Sequence, residues 1–149
     1  PTYCMEMTGQ LKVLFDHLVY MWMSHRPNRT MFTKVGIAVS TAAGTGAKRV
    51  SKSISNQLFW LGISKCYRLH ISVNASSWNE VPAKIKCKIE VQTDKIAKKA
   101  TPKSVVSIKV RFMFAMMRLS QKANTWCLID KNYWKENSWL GKERPWENH

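Results

Sequence analysis

The segment best suited to hold a ligand is Ser40-Thr41-Ala42-Ala43-Gly44-Thr45-Gly46. It follows the apolar run Val35-Gly36-Ile37-Ala38-Val39 and opens a helical pattern. A strand that ends in a glycine-bearing loop and enters a helix gathers N–H groups at one point. Glycine lets the backbone come close to a planar or anionic ligand, and the helix start aims its unpaired donors at it. A second loop of this kind opens the chain, because Pro1-Thr2-Tyr3 reads as the turn just past a strand. No Ser/His/Asp set or carboxylate pair stands out, so the chemistry these loops suggest is ligand holding.

The other reactive side chains form no pattern. Cys4, Cys66, Cys87 and Cys127 are scattered, with no CxxC pair, which argues against a zinc or iron–sulfur site built from local spacing. They read as reduced thiols and place the protein in a cytoplasm. His17, His25, His70 and His149 lack partner patterns and read as surface residues.

The elements that must position the loops follow from periodicity. Thr8 is an N-cap for a helix to about residue 23, with Leu11, Leu14, Phe15, Leu18, Val19 and Trp22 as its buried stripe. Residues 24–33 are a connection. The run Val35 to Val39 predicts a central parallel strand covered on both faces. A helix over about 47–61 carries Val50, Ile54, Leu58 and Leu61 inward and ends at Gly62. Over 66–73 an alternating pattern predicts an edge strand. A Lys-rich helix over 82–100 starts at Pro82 and turns Ile85, Ile89 and Ile96 inward. Thr101-Pro102 closes this part. Residues 104–120 fit both a strand and a helix, and their length and all-round apolar character favour a helix. The tail carries Trp126, Tyr133, Trp134, Trp139 and Trp146, which should be ordered and pack against protein.

Strands alternating with helices predict an α/β fold with a parallel sheet. An open sheet of this type has about five strands, so two strands with three helices read as the second half of a longer protein. The expected absent part is on the order of 60 residues or more, at about 30 per βαβ unit.

The 149 residues carry 24 Lys and Arg against 9 Asp and Glu, a formal charge of +15. A basic surface of this strength fits a solvated face, or contact with an anionic membrane or nucleic acid. The lysines over 84–99 are not interleaved with aromatics, which disfavours nucleic acid. No apolar run approaches the ~18 residues of a transmembrane helix.

Pro1-Thr2-Tyr3, followed by Gly9, Leu11, Lys12, Phe15 and Asp16, resembles the P-x-Y … G-x-L-K-x-F-x-D pattern of the NAD(P)H-dependent FMN reductase family, with the aromatic displaced by one position. The 40–46 loop is similar to that family's second flavin loop. The tail, with Asp130-Lys131-Asn132-Tyr133-Trp134-Lys135-Glu136, Trp139-Leu140 and Arg144-Pro145, looks like the extension of a clostridial-type subgroup. The resemblance implies a flavodoxin-like open parallel sheet with flanking helices, here its second half over residues 1–101, plus a helical and Trp-rich extension over 102–149. It also implies an FMN-binding oxidoreductase that takes hydride from NADH or NADPH for a small-molecule electron acceptor, in a homo-oligomer. By position, Thr2, Tyr3, Cys4 and Met5 would pass beside the isoalloxazine ring. Thr41, Ala43, Gly44 and Gly46 would pack on its other side.

The family's phosphate loop, and the cysteine cluster of its iron–sulfur relatives, have no counterpart among these residues. The isolated chain is therefore expected to hold FMN poorly. Tyr3 either stacks near the flavin or packs the loop onto the helix. Cys4 sits where a ligand could lie but reads more often as an inert small residue, and Asp16 reads as a helix-surface or structural partner rather than a catalyst. Lys48 and Arg49 could attract the phosphates of a nicotinamide cofactor or simply be solvated. The methionines read as core or pocket lining. The rival to the enzyme is a non-enzymatic basic module, in which the Lys-rich helix and residues 105–119 bind an anionic membrane surface or nucleic acid.

Overall fold

The computed structural model describes residues 1–100 and 104–147. The expected break at Thr101-Pro102, and with it the boundary between 1–101 and 102–149, lies outside the described residues, as does His149. Thr8 caps the first helix, α1 (Gly9–His17), through its hydroxyl, which accepts from the Leu11 N–H at 3.3 Å. The helix stops well before the expected residue 23. The chain turns at Leu18 into a short 3-10 segment, Val19–Met21. That turn delivers Met23 to the molecule's interior, where its N–H donates to the Trp60 carbonyl at 2.8 Å. Leu14 and Val19, expected inside, are exposed as a result.

A second 3-10 segment, Arg29–Thr33, buries Phe32 and leads into β1 (Val35–Ala42). Helix α2 (Ala47–Trp60) follows and ends where Gly62 takes a left-handed φ of +99°. The N–H groups of Gly62 and Ile63 reach back to the Phe59 and Leu58 carbonyls at 2.9 and 3.0 Å. These bonds satisfy groups the helix end would otherwise leave orphaned. Strand β2 (Lys65–Ser72) then pairs with β1 in parallel, from Val35 opposite Lys65 to Ala42 opposite Ser72.

The parallel pairing is as expected, but β1 is not a covered central strand. Among the described residues it has one neighbour, β2, in a two-stranded sheet. Its residues alternate between inside and outside, with Ile37 48% and Val39 55% exposed. A continuous apolar run describes what a strand tolerates on both faces, and here only the face bearing Ala38 is fully packed. Ser40, Thr41 and Ala42 also belong to the strand, so the loop itself is residues 43–46.

Phe15 of α1, with Val50 and Ile54 of α2, packs on that covered face around Ala38. Helix α3 (Ala83–Lys99) follows β2, and the Tyr67 hydroxyl donates to the Lys99 carbonyl at 2.8 Å. No residue of α3 is fully buried, and Ile85, Ile89 and Ile96 are only half-buried.

The 104–120 segment holds a helix, as expected, which starts at Ile108. Its α4 (Ile108–Ala123) is capped by Ser107, whose hydroxyl accepts from the Val110 N–H at 3.3 Å. Apolar all round, the helix turns only one of its faces to the interior. Val110, Phe114, Arg118 and Gln121 are buried, whereas Val105, Ile108, Phe112, Met116 and Leu119 are exposed. The reason is the tail. Phe114 stacks on Trp134 with ring centres 4.7 Å apart and meets Trp139 and Trp146 edge-on at 5.9 and 5.2 Å.

Trp134, on α5 (Leu128–Glu136), and Trp139 are wholly buried beside Met23 and Phe32. The tail is thus ordered and clamps its indoles on the chain's own earlier segments, with one exception: Trp126 is 74% exposed. Buried Arg118 ties the clamp shut, donating to the Trp139 and Glu143 carbonyls at 2.7 and 3.2 Å. Burial, and then the neighbouring Arg144, push its guanidinium pKa down from the usual arginine value.

His25 is not a partnerless surface histidine. Its Nδ1 lies 2.8 Å from the buried Asp130 carboxylate, and Arg26 Nε lies 3.2 Å from the other oxygen, close enough to pair though off the hydrogen-bond line. Asp16 is the surface partner expected of it, pairing with Lys12 one helical turn away.

Candidate functional site

Both strands run the same way, so the loops that leave their carboxyl ends must emerge on one edge of the sheet. The segment before α1 meets them there. The Thr2 hydroxyl lies 3.1 Å from that of Ser40, and the Thr45 hydroxyl reaches the Met5 sulfur at 3.6 Å. Arg49 Nη2 closes the contact from the start of α2, 2.7 Å from the Glu6 carboxylate. Arg49 is therefore engaged by the protein's own acid.

Residues 3–6 form a tight reversal. Tyr3 and Glu6 exchange both backbone hydrogen bonds, at 3.1 and 2.9 Å. The two residues between them, Cys4 and Met5, both hold positive φ, 47° and 66°. Positive φ at both central positions is the signature of a type I′ turn, which usually takes Asn and Gly. Non-glycine residues there cost roughly 1–2 kcal/mol each. Strain of this kind gathers where a surrounding structure dictates the backbone.

Gly46 is the counterpart on the other loop, with φ +97°. A Cβ at this position would sit 3.0 Å from Thr2 Cγ2 and 3.2 Å from Met5 Sδ. Only a glycine permits both the left-handed turn and the close approach of the two loops. Gly44 has open space around it. The N–H groups of Ala43, Gly44, Thr45 and Gly46 find no acceptor among the described residues.

Between the loops lies a cavity of about 630 Å³. Thr2, Tyr3, Thr41 and Ala43 line it. Cys4, Met5, Gly44 and Gly46, also expected at the ligand, are not among the residues that line it. The far wall was not expected from the sequence. It comes from the segment after β2 and from α3, as Val73, Ala75, Trp78, Val81 and Ile89. The rule that placed the first two loops together could have found it, because the exit of a second parallel strand shares their edge. Glu80 braces this segment by accepting from the Ser76 N–H and the Ser77 hydroxyl at 2.9 and 3.0 Å. Those bonds, the Ser76 one first, hold its carboxyl below the ordinary glutamate value.

Chemically this is a slot with an apolar wall of valine, isoleucine and tryptophan, faced by Thr2, Tyr3, Thr41 and Ala43. It carries no side chain poised for proton transfer. Its volume lies within the range of small-molecule and cofactor sites, ~300–1,000 Å³.

The model of the NADPH-dependent FMN reductase family matches residues 1–76, which span α1, β1, α2, β2 and both loops. The chain belongs to the NADPH-dependent FMN reductase family. No curated protein and no solved structure matches it. The two-stranded parallel sheet and its helices are then part of a flavodoxin-like α/β fold, and the family assigns the protein in general to the FMN-dependent NAD(P)H oxidoreductases. The slot is at the sheet edge where such a fold binds its ligand. Helices α3 to α5 lie beyond the matched residues. No helix among the described residues is long and apolar enough to cross a membrane.

Proposed function

We propose that the slot holds the isoalloxazine ring of FMN and that the protein passes hydride from NADH or NADPH through it to a small-molecule acceptor. The observation that carries this reading is the convergence of residues 1–3, 41–43 and 73–81 on one cavity at the carboxyl edge of a parallel sheet. Bound flavin supplies the redox chemistry, since it accepts a hydride and gives up its two electrons to an acceptor. What the chain must do is bind, orient and exclude water.

The N–H groups of residues 43–46 are donors for the carbonyl and nitrogen edge of the ring. Trp78, Val81 and Ile89 offer it an apolar wall, and Thr2 and Tyr3 close the side. Lys48, at the exposed start of α2, is the cation left over for a nicotinamide phosphate, because Arg49 is paired with Glu6. No general base is needed for hydride transfer, which accords with a slot that lacks one.

The test is a fluorescence titration of the 149-residue chain with riboflavin and with FMN. Both should be quenched weakly and alike, because the slot holds the ring and not the phosphate. Ala43→Phe, which fills the slot from an exposed loop, should abolish quenching while the circular dichroism spectrum is retained. Quenching that survives Ala43→Phe, or no quenching by either flavin, removes the assignment.

A further inference from the structure

Helix α4 is apolar on two sides. One side is the aromatic core. On the other, Ile108 is 86% exposed, Phe112 64% and Leu119 60%, with Met116 between them. Their spacing of four, four and three residues makes one continuous stripe along a helix roughly 24 Å long. Soluble proteins rarely leave such a stripe uncovered without a partner for it. Trp126, just past the end of α4, is a further exposed ring.

The charges that border the stripe have one sign. At 100° per residue, Lys109 falls on one border and Arg111 and Lys122 on the other. The helix contains no acidic residue. Lys109 is steadied over the Phe59 ring at 4.5 Å, and Arg111 by the Val106 carbonyl at 3.1 Å. Two copies of this chain, each at +15, would bring these cations face to face across a shared stripe. A nucleic acid would meet the cations but offers no apolar interior for Ile108 and Leu119. An anionic lipid bilayer meets both demands, with headgroups for the borders and acyl chains for the stripe.

We propose that α4, with Trp126 at its end, lies in the plane of an anionic membrane surface and docks the protein there. The stripe enters the boundary between headgroups and acyl chains, and Lys109, Arg111 and Lys122 remain among the phosphates. Trp126 takes the interfacial position that indoles favour. This surface is separate from the slot and stands whether or not the slot binds flavin.

The experiment is co-sedimentation of the 149-residue chain with two kinds of vesicle. One is phosphatidylcholine alone, and the other contains about 30% phosphatidylglycerol. The chain should pellet with the anionic vesicles, stay in solution with the neutral ones, and be released by about 0.5 M salt. The combined variant Ile108→Gln, Phe112→Gln, Leu119→Gln should bind about tenfold or more weakly. Lys122→Gln should cost about fivefold. Thermal unfolding of both variants should match that of the parent, since all four side chains face outward. Binding to neither vesicle, or undiminished binding by the triple variant, overturns the proposal. So does a stable dimer that the triple variant dissolves, because then a second copy covers the stripe.

Discussion

Phe15, Ala38, Val50, Ile54 and Leu61 fill the sheet-side core, whereas Met23, Phe32, Phe114, Trp134 and Trp139 fill the tail-side core. The first uses mostly small and aliphatic side chains and retains slight exposure at Phe15 and Ile54. The second uses large rings, and most of its members are wholly buried. The family match covers the first core completely and only two members of the second, Met23 and Phe32. The part of the chain that builds the slot is therefore not the part that buries the largest side chains. The clamp formed by Phe114, Trp134 and Trp139 lies wholly outside the matched residues.

Cutting into each core tests this difference. Trp134→Ala removes a ring stacked on Phe114 and an indole N–H that donates to the His25 carbonyl at 2.6 Å. It should cost about 3–5 kcal/mol, the range for deleting a large buried aromatic. Ile54→Ala in the sheet-side core should cost about 2 kcal/mol, at the low end for its type because the site borders solvent. Urea titrations followed by tryptophan emission and by far-ultraviolet circular dichroism would measure both. The two probes should unfold together in the parent, since Trp22, packed on the first core, stacks on Trp60, packed on the second. An Ile54→Ala loss as large as that of Trp134→Ala would show that the two cores bear equal weight.

Local signals were legible where one residue decides one bond. Thr8 before α1, Gly62 after α2 and the glycine-bearing loop before α2 each stand where the sequence puts them. The parallel pairing and the meeting of residues 2–5 with 43–46 follow from strand direction, which alternation with helices already dictates. What the sequence could not disclose was choice between equals. Helix α4 is apolar on both sides, and periodicity alone does not say whether Phe112 or Phe114 points inward; the indoles of a distant tail decide it. The end of α1 is set by the demand of Met23 for the interior, not by a breaker at Leu18. His25 and Asp130 are 105 positions apart and carry no motif that joins them. Trp78 and Val81 carry no such signal, because the segment that holds them has no glycine.

The loops offer a finer cut than the cores. Gly46→Ala places a methyl 3.0 Å from Thr2 Cγ2 and 3.4 Å from Met5 Cα, on a backbone at φ +97°. The left-handed penalty for a side chain is about 1–2 kcal/mol. The Thr2 and Met5 side chains can rotate aside, but Met5 Cα is backbone, so relief there shifts the strained turn at residues 3–6. Stability should fall by about that amount, while riboflavin binding falls further, because the wall formed by Thr2 and Tyr3 shifts with the turn. Denaturant and fluorescence titrations on one sample would separate the two. Unchanged binding with lowered stability would mean that the two loops need not touch for the slot to work.

The smallest effect belongs to Glu80, at the rim of the slot. Its carboxylate accepts from the Ser76 N–H and the Ser77 hydroxyl, and these bonds lower its pKa from the ordinary value. A carboxyl group whose folded pKa is depressed contributes stability above its unfolded pKa. That contribution is lost as pH falls through the folded value. The side chain is exposed, so solvent screening keeps the effect local and too small to move global unfolding. It should show in the loop instead. Acidification below the ordinary carboxylate range should speed exchange of the Ser76 amide, followed by nuclear magnetic resonance, as its acceptor is protonated. Glu80→Gln cannot present two anionic oxygens, so its Ser76 amide should exchange fast at neutral pH and show no added acid step beyond the intrinsic pH dependence. If the variant keeps the parent's step, some other group braces residues 73–81. The far wall of the slot would then be held from elsewhere, and the thinly covered side of the molecule would be stiffer than its packing indicates.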